Sequence, residues 1–238
     1  MKTLNYILFA LVLFSLSACK SSSATTNKMT AKNGWITLFD GTDLSQWHAY
    51  NGGEPTQWSV VDGEMIFKPA ENRRRNENLV TNEVFDSFIL NIDWKISEGG
   101  NSGIMWAVQE KEAFREPYVT GPEIQILDDE KHPDSRAGVT HRSGALYDMI
   151  GAPAGVVKPV GEWNNYLITI NHEANEGIVV MNGVEVVKFP LKGAAWDEMV
   201  AKSKFSNWSD FRKVLEGKIA LQDHGHEVAF RNIKIKKL

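Results

Sequence analysis

Cysteine is almost absent from this sequence of 238 residues, which contains a single one, Cys19. A chain with one thiol cannot form an internal disulfide, so Cys19 has no structural partner that would explain it. Long basic runs are also missing, and the formal net charge is -4 with a pI near 5.9. This charge argues against a nucleic acid as partner and fits a small neutral ligand better.

Two catalytic motifs of other enzyme classes are missing as well. The sequence has no glycine-rich phosphate loop and no G-x-S-x-G elbow, which argues against nucleotide and esterase chemistry. The apolar run from Tyr6 to Leu16 is too short for a confident membrane span, but it follows Lys2 and has the length of a signal-peptide core. We therefore predict export, with residues 1–18 as the signal peptide.

The apolar run ends in LSAC at residues 16–19, which resembles the lipobox of bacterial lipoproteins. The resemblance implies that Cys19 is lipidated, becomes the mature N-terminus and joins the protein to a membrane. The polar residues that follow, KSSSATTNKMTAKN, cannot bury enough apolar surface to fold. We interpret residues 19–33 as a tether and expect a lipid-anchored protein of the bacterial cell envelope, either periplasmic or on the outer membrane.

Strand patterns dominate the chain from residue 34 onward. The clearest is residues 88–96, where apolar side chains beginning with Phe88 alternate with a mostly polar set. Asn182 and Gly183 form the strongest hairpin signal, and GALYDM at 144–149 is among the predicted strands. About a dozen strands without βαβ alternation predict an all-β protein, an antiparallel β-sandwich of one domain over 34–238. Residues 195–215 are the exception and predict a short helical insertion on the rim.

The segment GPEIQILD, residues 121–128, is the first candidate for a site. In a strand, Ile124 and Ile126 point to one side while Glu123 and Gln125 point to the other. Carboxylates and amides on a concave sheet face suit hydrogen bonds to sugar hydroxyls. A solvated strand face is the simpler alternative, because antiparallel sheets usually leave one face polar.

Polar groups in other segments favour the site over the solvated face. Gln222 lies on the strand face opposite Ile219 and Leu221, with a histidine two residues later, so a third segment contributes polar groups. Trp106 is a candidate platform for a sugar ring, although a core position is more common for tryptophan. His132 and Asp134 belong either to a site, to a metal centre or to an exposed turn.

Five stretches occur in order along the chain: LFDGTDLSQW, GNSGI, GPEIQILDDEKHPD, GALYDMIGAP and LQDHGHEVAFRNIKIK. Together they resemble the bacterial family of 3-keto-disaccharide hydrolases and 3-keto-glycoside lyases and hydratases, from about Gly34 to the C-terminus. The resemblance implies a concanavalin-like jelly roll that acts on carbohydrate. The positions that match the family's polar motifs are Asn101, Glu123, Gln125, Asp128, His132, Arg142, Tyr147, Gln222, Asp223 and His224.

The chemistry that the resemblance implies is cleavage of a 3-keto-glycoside by elimination and hydration. We expect Glu123, His224 and Tyr147 to be the catalytic acid-base groups, with Arg142 or a bound divalent cation stabilising an enolate. A conventional glycosidase needs two carboxylates, and the amide of Gln125 interrupts the acidic pattern of laminarinase-like sites. That enzyme and a noncatalytic carbohydrate-binding module remain the alternatives. The expected substrate-binding residues are Asn101, Trp106, Gln125, Asp128, His132, His141, Arg142, Gln222 and Asp223.

Overall fold

The computed structural model describes residues 33–238, so the predicted signal peptide and the tether up to residue 32, including Cys19, lie outside the described part of the chain. Within residues 33–238 no helix is long and apolar enough to cross a membrane. In chain order the elements are β1 (Trp35–Phe39), β2 (Trp47–Ala49), β3 (Trp58–Val61), β4 (Glu64–Phe67), β5 (Leu79–Thr81), β6 (Phe88–Ile96), β7 (Asn101–Val108), β8 (Glu123–Leu127), β9 (Asn164–Asn171), β10 (Glu176–Met181), β11 (Val184–Phe189), α1 (Ala194–Ala201), β12 (Lys218–Leu221) and β13 (Val228–Lys237).

The strands form two antiparallel sheets that pack face to face. The larger sheet has the order β11-β10-β9-β6-β13-β4-β3, with β1 also paired to β13, and the smaller has the order β2-β5-β12-β7-β8. Large apolar side chains of both sheets fill the space between them. The chain is therefore an all-β sandwich of the jelly-roll type, as the sequence predicts.

The long strand β6 lies in the middle of the larger sheet, between β9 and β13. Phe88, Leu90, Ile92 and Trp94 are each at most 1% exposed. The residues between them are only half-buried, which confirms the period-two prediction for this segment. Burial of this stripe holds the register of β6, since a slip by one residue would turn all four side chains outward.

The predicted hairpin between β10 and β11 is a tight two-residue turn. Asn182 and Gly183 have φ angles of 51° and 84°. Positive φ at both central positions is typical of a type I′ turn, whose twist matches that of the flanking strands. Asp62 and Gly63, with φ of 51° and 79°, join β3 and β4 in the same way.

The smaller sheet differs from an ordinary half-solvated sheet because both its faces are covered. All residues of β7 and β8 are buried, including Glu123 and Gln125 on the face turned away from the core. Loops between β8 and β9 and the segment around α1 lie against that outer face. The polar side of GPEIQILD is thus neither solvent-exposed nor part of the apolar core.

Three local predictions differ from the structure. Residues 144–149 do not form a strand, because Gly144 and Asp148 adopt positive φ angles of 83° and 58°, and only isolated bridges through Leu146 remain. The short strand β2 was not predicted. The helical insertion is shorter than predicted: α1 ends at Ala201, a 3-10 turn covers Lys204–Asn207, and the chain is irregular from there to β12.

Candidate active site

A cavity of about 180 Å³ opens on the outer face of the smaller sheet. Its floor is made by β7, β8 and the end of β12, which contribute Asn101, Glu123, Gln125 and Gln222. Strand register explains their convergence, because Gly103 pairs with Gln125 and Met105 pairs with Glu123. Directly paired residues on antiparallel strands share a face. The structure therefore brings together the polar strand residues that the sequence placed opposite the core.

The walls of the cavity come from loops and from the segment after α1. They contribute Tyr118, Asp134, Tyr147, Lys204 and His224. Of the three predicted catalytic residues, Tyr147 and His224 thus belong to the walls and Glu123 belongs to the floor. The cavity collects two carboxylates, one ammonium group, two phenols and one imidazole in about 180 Å³.

Glu123 is held over a glycine of the adjacent strand. A Cβ atom on Gly103 would overlap the carboxylate of Glu123, so the missing side chain at position 103 provides the space for this acid. Glu123 is only 6% exposed, and its carboxylate has no hydrogen-bond partner within residues 33–238. A buried carboxylate without a fixed partner is free to accept a proton from a ligand.

Burial raises the pKa of Glu123 from 4.5 to about 7, because removal from water disfavours the charged form. The ammonium group of Lys204 opposes this rise, and the nearby carboxylate of Asp134 adds to it. The result is a carboxyl group whose pKa lies near neutral pH. General bases work best when their pKa is close to the operating pH.

Lys204 and Tyr147 form a pair in the wall of the cavity. The Lys204 Nζ atom lies 4.1 Å from the centre of the Tyr147 ring, and the backbone N–H of Lys204 donates to the carboxylate of Asp148 at 2.7 Å. Partial removal of the ammonium group from water lowers the pKa of Lys204, although much of the residue is exposed, and Glu123 and two aspartates act against this shift. Burial and neighbouring carboxylates also raise the pKa of Tyr147, so its phenol remains protonated and can donate a hydrogen bond.

Two buried acceptors in the floor lack partners. Asn101 Oδ1 and Gln222 Oε1 are buried and have no hydrogen-bond partner within the described residues. Asn101 Nδ2 is used, since it donates to the Asp134 carboxylate at 3.2 Å. Unsatisfied buried polar atoms are costly and therefore rare in proteins, and a ligand's hydroxyl groups would satisfy these two.

Three histidines meet beside the cavity. His132, at the start of a 3-10 turn after β8, faces His224 and His226 from the loop between β12 and β13. One ring nitrogen from each lies within 4.8 Å of the others, an arrangement that could hold a metal ion. Partial burial lowers the pKa of His224 and of His226. The imidazoles of His226 and His132 lower the pKa of His224 further, and His132 and Arg73 lower that of His226.

Trp106 is the clearest correction to the predicted site. It is 2% exposed and packs against Phe189 between the sheets, with ring centres 5.9 Å apart. A stacking platform for a sugar needs an accessible ring face, so the prediction for Trp106 was wrong. Tryptophan at this point of an alternating strand belongs to the core stripe with Ile104.

Asp128 and Asp223 are also corrections, because their carboxylates are used inside the protein. Asp128 accepts backbone N–H groups from Gly99, Glu130 and Lys131 and does not line the cavity. Asp223 is 1% exposed and accepts from the N–H groups of Glu77 and Gly225. Both aspartates hold loops that carry site residues rather than binding a substrate.

His141 and Arg142 do not line the cavity either. The His141 ring lies edge-on to Tyr147, with centres 4.6 Å apart, and so supports a wall residue from behind. Burial raises the pKa of the Asp129 carboxyl, and the charge of the nearby, partly exposed Arg142 acts against this rise. The structure thus places Arg142 outside the lining of the cavity, whereas the side chain of Lys204 is part of that lining.

Lys204, Tyr118 and His226 are site residues that sequence reasoning did not select. Lys204 lies in the insertion, 81 positions from Glu123 by residue number, and nothing in its local pattern indicates that its ammonium group lines a cavity. His226 had a usable signal, because it follows His224 by two residues in the QDHGH stretch. Spacing of this kind allows two side chains of a loop to face a common centre.

A larger groove of about 840 Å³ lies along the β2–β5 side of the same sheet. Its two partly buried carboxylates already have partners: Glu77 accepts from the backbone N–H groups of Thr56 and Gln57, and Glu116 from the amides of Asn76 and Asn78. The other two acids of the groove, Glu54 and Glu112, are exposed, so the groove holds no buried free carboxylate such as Glu123. We therefore place the candidate active site in the cavity around Glu123.

Comparisons with known proteins agree with this architecture. The structure resembles a Bacillus subtilis protein with a galectin-like fold, at 15% identity and a TM-score of 0.53, with 88% of this chain and 97% of the other covered. A Parabacteroides distasonis protein provisionally assigned as a glycosyl hydrolase is 31% identical with a TM-score of 0.80, and 87% and 95% of the two chains are covered. The fold and the cavity thus define a jelly-roll protein of the galectin-like type with a polar cavity around Glu123 on the outer face of its smaller sheet.

The family follows from the sequence matches. Residues 34–236 match the 3-keto-alpha-glucoside-1,2-lyase-like domain. A 3-keto-disaccharide hydrolase from Bacteroides thetaiotaomicron is 34% identical over 233 residues, which covers 87% of this chain and 79% of the relative. The chain belongs to the 3-keto-alpha-glucoside-1,2-lyase-like family, which confirms the resemblance.

Proposed function

We propose that this protein is a carbohydrate-active enzyme that cleaves 3-keto-glycosides, by elimination followed by addition of water. Its family is named for a 1,2-lyase, and its Bacteroides thetaiotaomicron relative is named as a hydrolase of 3-keto-disaccharides. The observation that carries the proposal is the Glu123 carboxylate, which is buried, lacks a hydrogen-bond partner within residues 33–238 and has a pKa raised to about 7.

The proposed reaction begins with a proton on the second sugar carbon. The ketone at the third carbon acidifies this proton, so a base can remove it and form an enolate. The enolate then expels the substituent on the first carbon: the C1–O bond breaks, a C1–C2 double bond forms and the leaving oxygen takes up a proton. Addition of water across the double bond completes a net hydrolysis.

Three cavity residues match the needs of the elimination. Glu123 removes the C2 proton, because its carboxylate is free and its pKa is near neutrality. Lys204, the cation in the cavity wall, stabilises the negative charge of the enolate oxygen. Tyr147 remains protonated and donates to the leaving oxygen. The elimination passes through an enolate and not through an oxocarbenium ion, so it requires no second carboxylate.

The floor of the cavity supports recognition of a small sugar. The unsatisfied acceptors Asn101 Oδ1 and Gln222 Oε1 are suited to sugar hydroxyl donors. A volume of about 180 Å³ is below the roughly 300 Å³ at which pockets for drug-sized ligands begin. The cavity thus suits one sugar ring, with the leaving group directed toward solvent.

One observation favours a conventional glycosidase as the second candidate. Asp134 lines the same cavity as Glu123, so two carboxylates are present although Gln125 interrupts the pattern on the strand. Asp134 raises the pKa of Glu123, which is how a protonated acid is paired with a charged carboxylate in such enzymes. The two reactions differ in whether the C2–H bond breaks.

The test compares a 3-keto-glycoside with the same glycoside unoxidised, each deuterated at the second carbon. We expect cleavage of the oxidised substrate only, with loss of deuterium to solvent, and Glu123→Gln should reduce turnover by roughly 100-fold or more. Equal cleavage of both substrates with deuterium retained would establish the glycosidase instead. Sugar binding by wild-type protein and by Glu123→Gln, without cleavage of either substrate, would identify a binding module.

We also propose that the enzyme acts in the bacterial cell envelope, held to a membrane by lipid on Cys19. The support is the apolar run that ends at the single cysteine, followed by a polar stretch. A tethered enzyme at this location would meet glycosides before they enter the cytoplasm.

A further inference from the structure

Three of the six histidines of the chain come together at one end of the cavity, from two separate loops. The His132 ring stands at 81° to the His224 ring and at 90° to the His226 ring, with centres 5.9 and 5.5 Å apart. One nitrogen of each ring lies within 4.8 Å of the other two. Three imidazoles thus face a common centre, and His224 also lines the substrate cavity.

The loop that carries His224 and His226 is fixed by the aspartate that precedes them. Asp223 accepts from the N–H of Gly225 at 2.8 Å and from the N–H of Glu77 at 2.7 Å, and its carboxylate lies 2.9 Å from the guanidinium of Arg73. Gly225 has a φ of 85° and its Cα faces Arg73, so the turn between the two histidines requires glycine. These interactions of the buried Asp223 therefore fix the backbone of the loop that carries the two rings.

The hydrogen bonding of the rings leaves ligand positions open. His226 Nδ1 is buried without a partner, and no hydrogen bond joins any two of the three rings, all of which lie in the described part of the chain. His132 Nδ1 accepts from the N–H of Asp134 at 3.2 Å. An ion on Nδ1 would take the place of this N–H. An ion on Nε2 would leave the proton of the neutral ring on Nδ1, so binding through either nitrogen would break this long hydrogen bond.

We propose that His132, His224 and His226 form a binding site for a divalent transition-metal ion of the zinc and cobalt class. Neutral imidazole nitrogens suit these ions, whereas calcium and magnesium prefer oxygen. Tetrahedral zinc requires ligand nitrogens about 3.4 Å apart, a contraction from the upper limit of 4.8 Å that side-chain rotation can supply.

The site has the composition of an open metal centre. Three protein ligands leave a fourth position for water or substrate, and the cavity lined by His224 is the space beside it. The proposal does not depend on the reaction suggested above, because metal binding can be measured without a substrate. The simpler alternative is a cluster of packed imidazoles that binds nothing.

The test is a titration of the metal-free full-length protein with Co²⁺ and, separately, with Zn²⁺. We expect one equivalent of Co²⁺ to bind and to give the visible absorption of a four- or five-coordinate nitrogen site, and Zn²⁺ to displace it. His226→Gln and His132→Asn should each weaken Co²⁺ binding by more than roughly 100-fold, beyond the roughly 10- to 100-fold loss that is typical of residues that only support a ligand. Asparagine at 132 keeps an acceptor for the N–H of Asp134.

The matched control is His48→Gln, since His48 pairs with Asn82 and Glu110 away from the cluster. This variant should bind Co²⁺ as the wild type does, and circular dichroism should show that all variants are folded. Three outcomes would overturn the proposal: no binding of either ion, binding that His226→Gln and His132→Asn leave unchanged, or an equal loss in His48→Gln.

Discussion

The carboxylate of Glu123 lies directly over Gly103, so that a Cβ atom at position 103 would occupy its space. The glycine of the NSGI stretch is thus part of the site, although it has no functional group. We predict that Gly103→Ala displaces the carboxylate and lowers turnover of a 3-keto-glycoside by roughly 100-fold, comparable with loss of the base itself. Steady-state kinetics and thermal unfolding of the same preparations would measure both effects.

The matched control for this change is Gly53→Ala. Gly53 lies in an exposed loop where nothing is within 4 Å of an added Cβ atom, so turnover should stay at the wild-type level. If Gly103→Ala remains folded and fully active, the position of the Glu123 carboxylate does not matter for the reaction, and its role as base is wrong.

The activity should depend on pH through Glu123. Its pKa of about 7 means that the base form increases as the pH rises through neutrality. We expect kcat/KM for a 3-keto-glycoside to increase with pH on the acidic side, with a midpoint near 7, because this parameter reports groups of the free enzyme. A profile without any titration between about pH 5 and 8 would contradict this assignment.

The same raised pKa predicts a dependence of stability on pH. Between pH 4.5 and about 7 the folded protein holds a proton on Glu123 that the unfolded chain has lost, so the contribution of this group to stability decreases as the pH rises. At pH 8 the cost is about 3 kcal/mol. Glu123→Gln should remove it and raise the free energy of unfolding above that of wild type, as measured by urea denaturation. Equal free energies of unfolding for wild type and Glu123→Gln at pH 4.5 and at pH 8 would contradict the raised pKa.

Replacement of the cavity cation should affect both rate and pH profile. Lys204→Met should lower kcat by roughly 100-fold, as for loss of one group that stabilises an oxyanion. It should also move the midpoint on the acidic side of the kcat/KM profile to higher pH, because the charge of Lys204 lowers the pKa of Glu123. Lys202→Met is the control, since Lys202 is exposed and pairs with Glu198 at 2.6 Å. An unshifted midpoint in Lys204→Met would show that the two groups do not interact.

The lipid anchor is tested independently of the catalytic site. Cys19→Ala should leave the protein unprocessed or release it from the membrane fraction, because no other thiol is present to accept the lipid. Mass spectrometry of the membrane-purified wild type should find a modified Cys19 at the N-terminus of the mature chain. An unmodified Cys19 in that material would contradict the proposal.

The sequence alone determined the sandwich and the direction of its polar strand residues. Alternation in β6 defines a buried and a half-buried face because successive strand side chains point to opposite sides. The same rule put Glu123 and Gln125 on one face, and Gln222 on the corresponding face of another strand. These inferences need only the local geometry of a strand, which is why they hold in the structure.

Tertiary structure decided what those faces meet. Burial of Trp106 against Phe189 and the use of Asp128 as an acceptor for backbone N–H groups depend on segments far away in the chain. Lys204 reaches Glu123, and His132 reaches His226, only because loops close over the outer sheet face. The pKa of Glu123 rises for the same reason, since local sequence specifies a carboxyl group but only packing removes it from water.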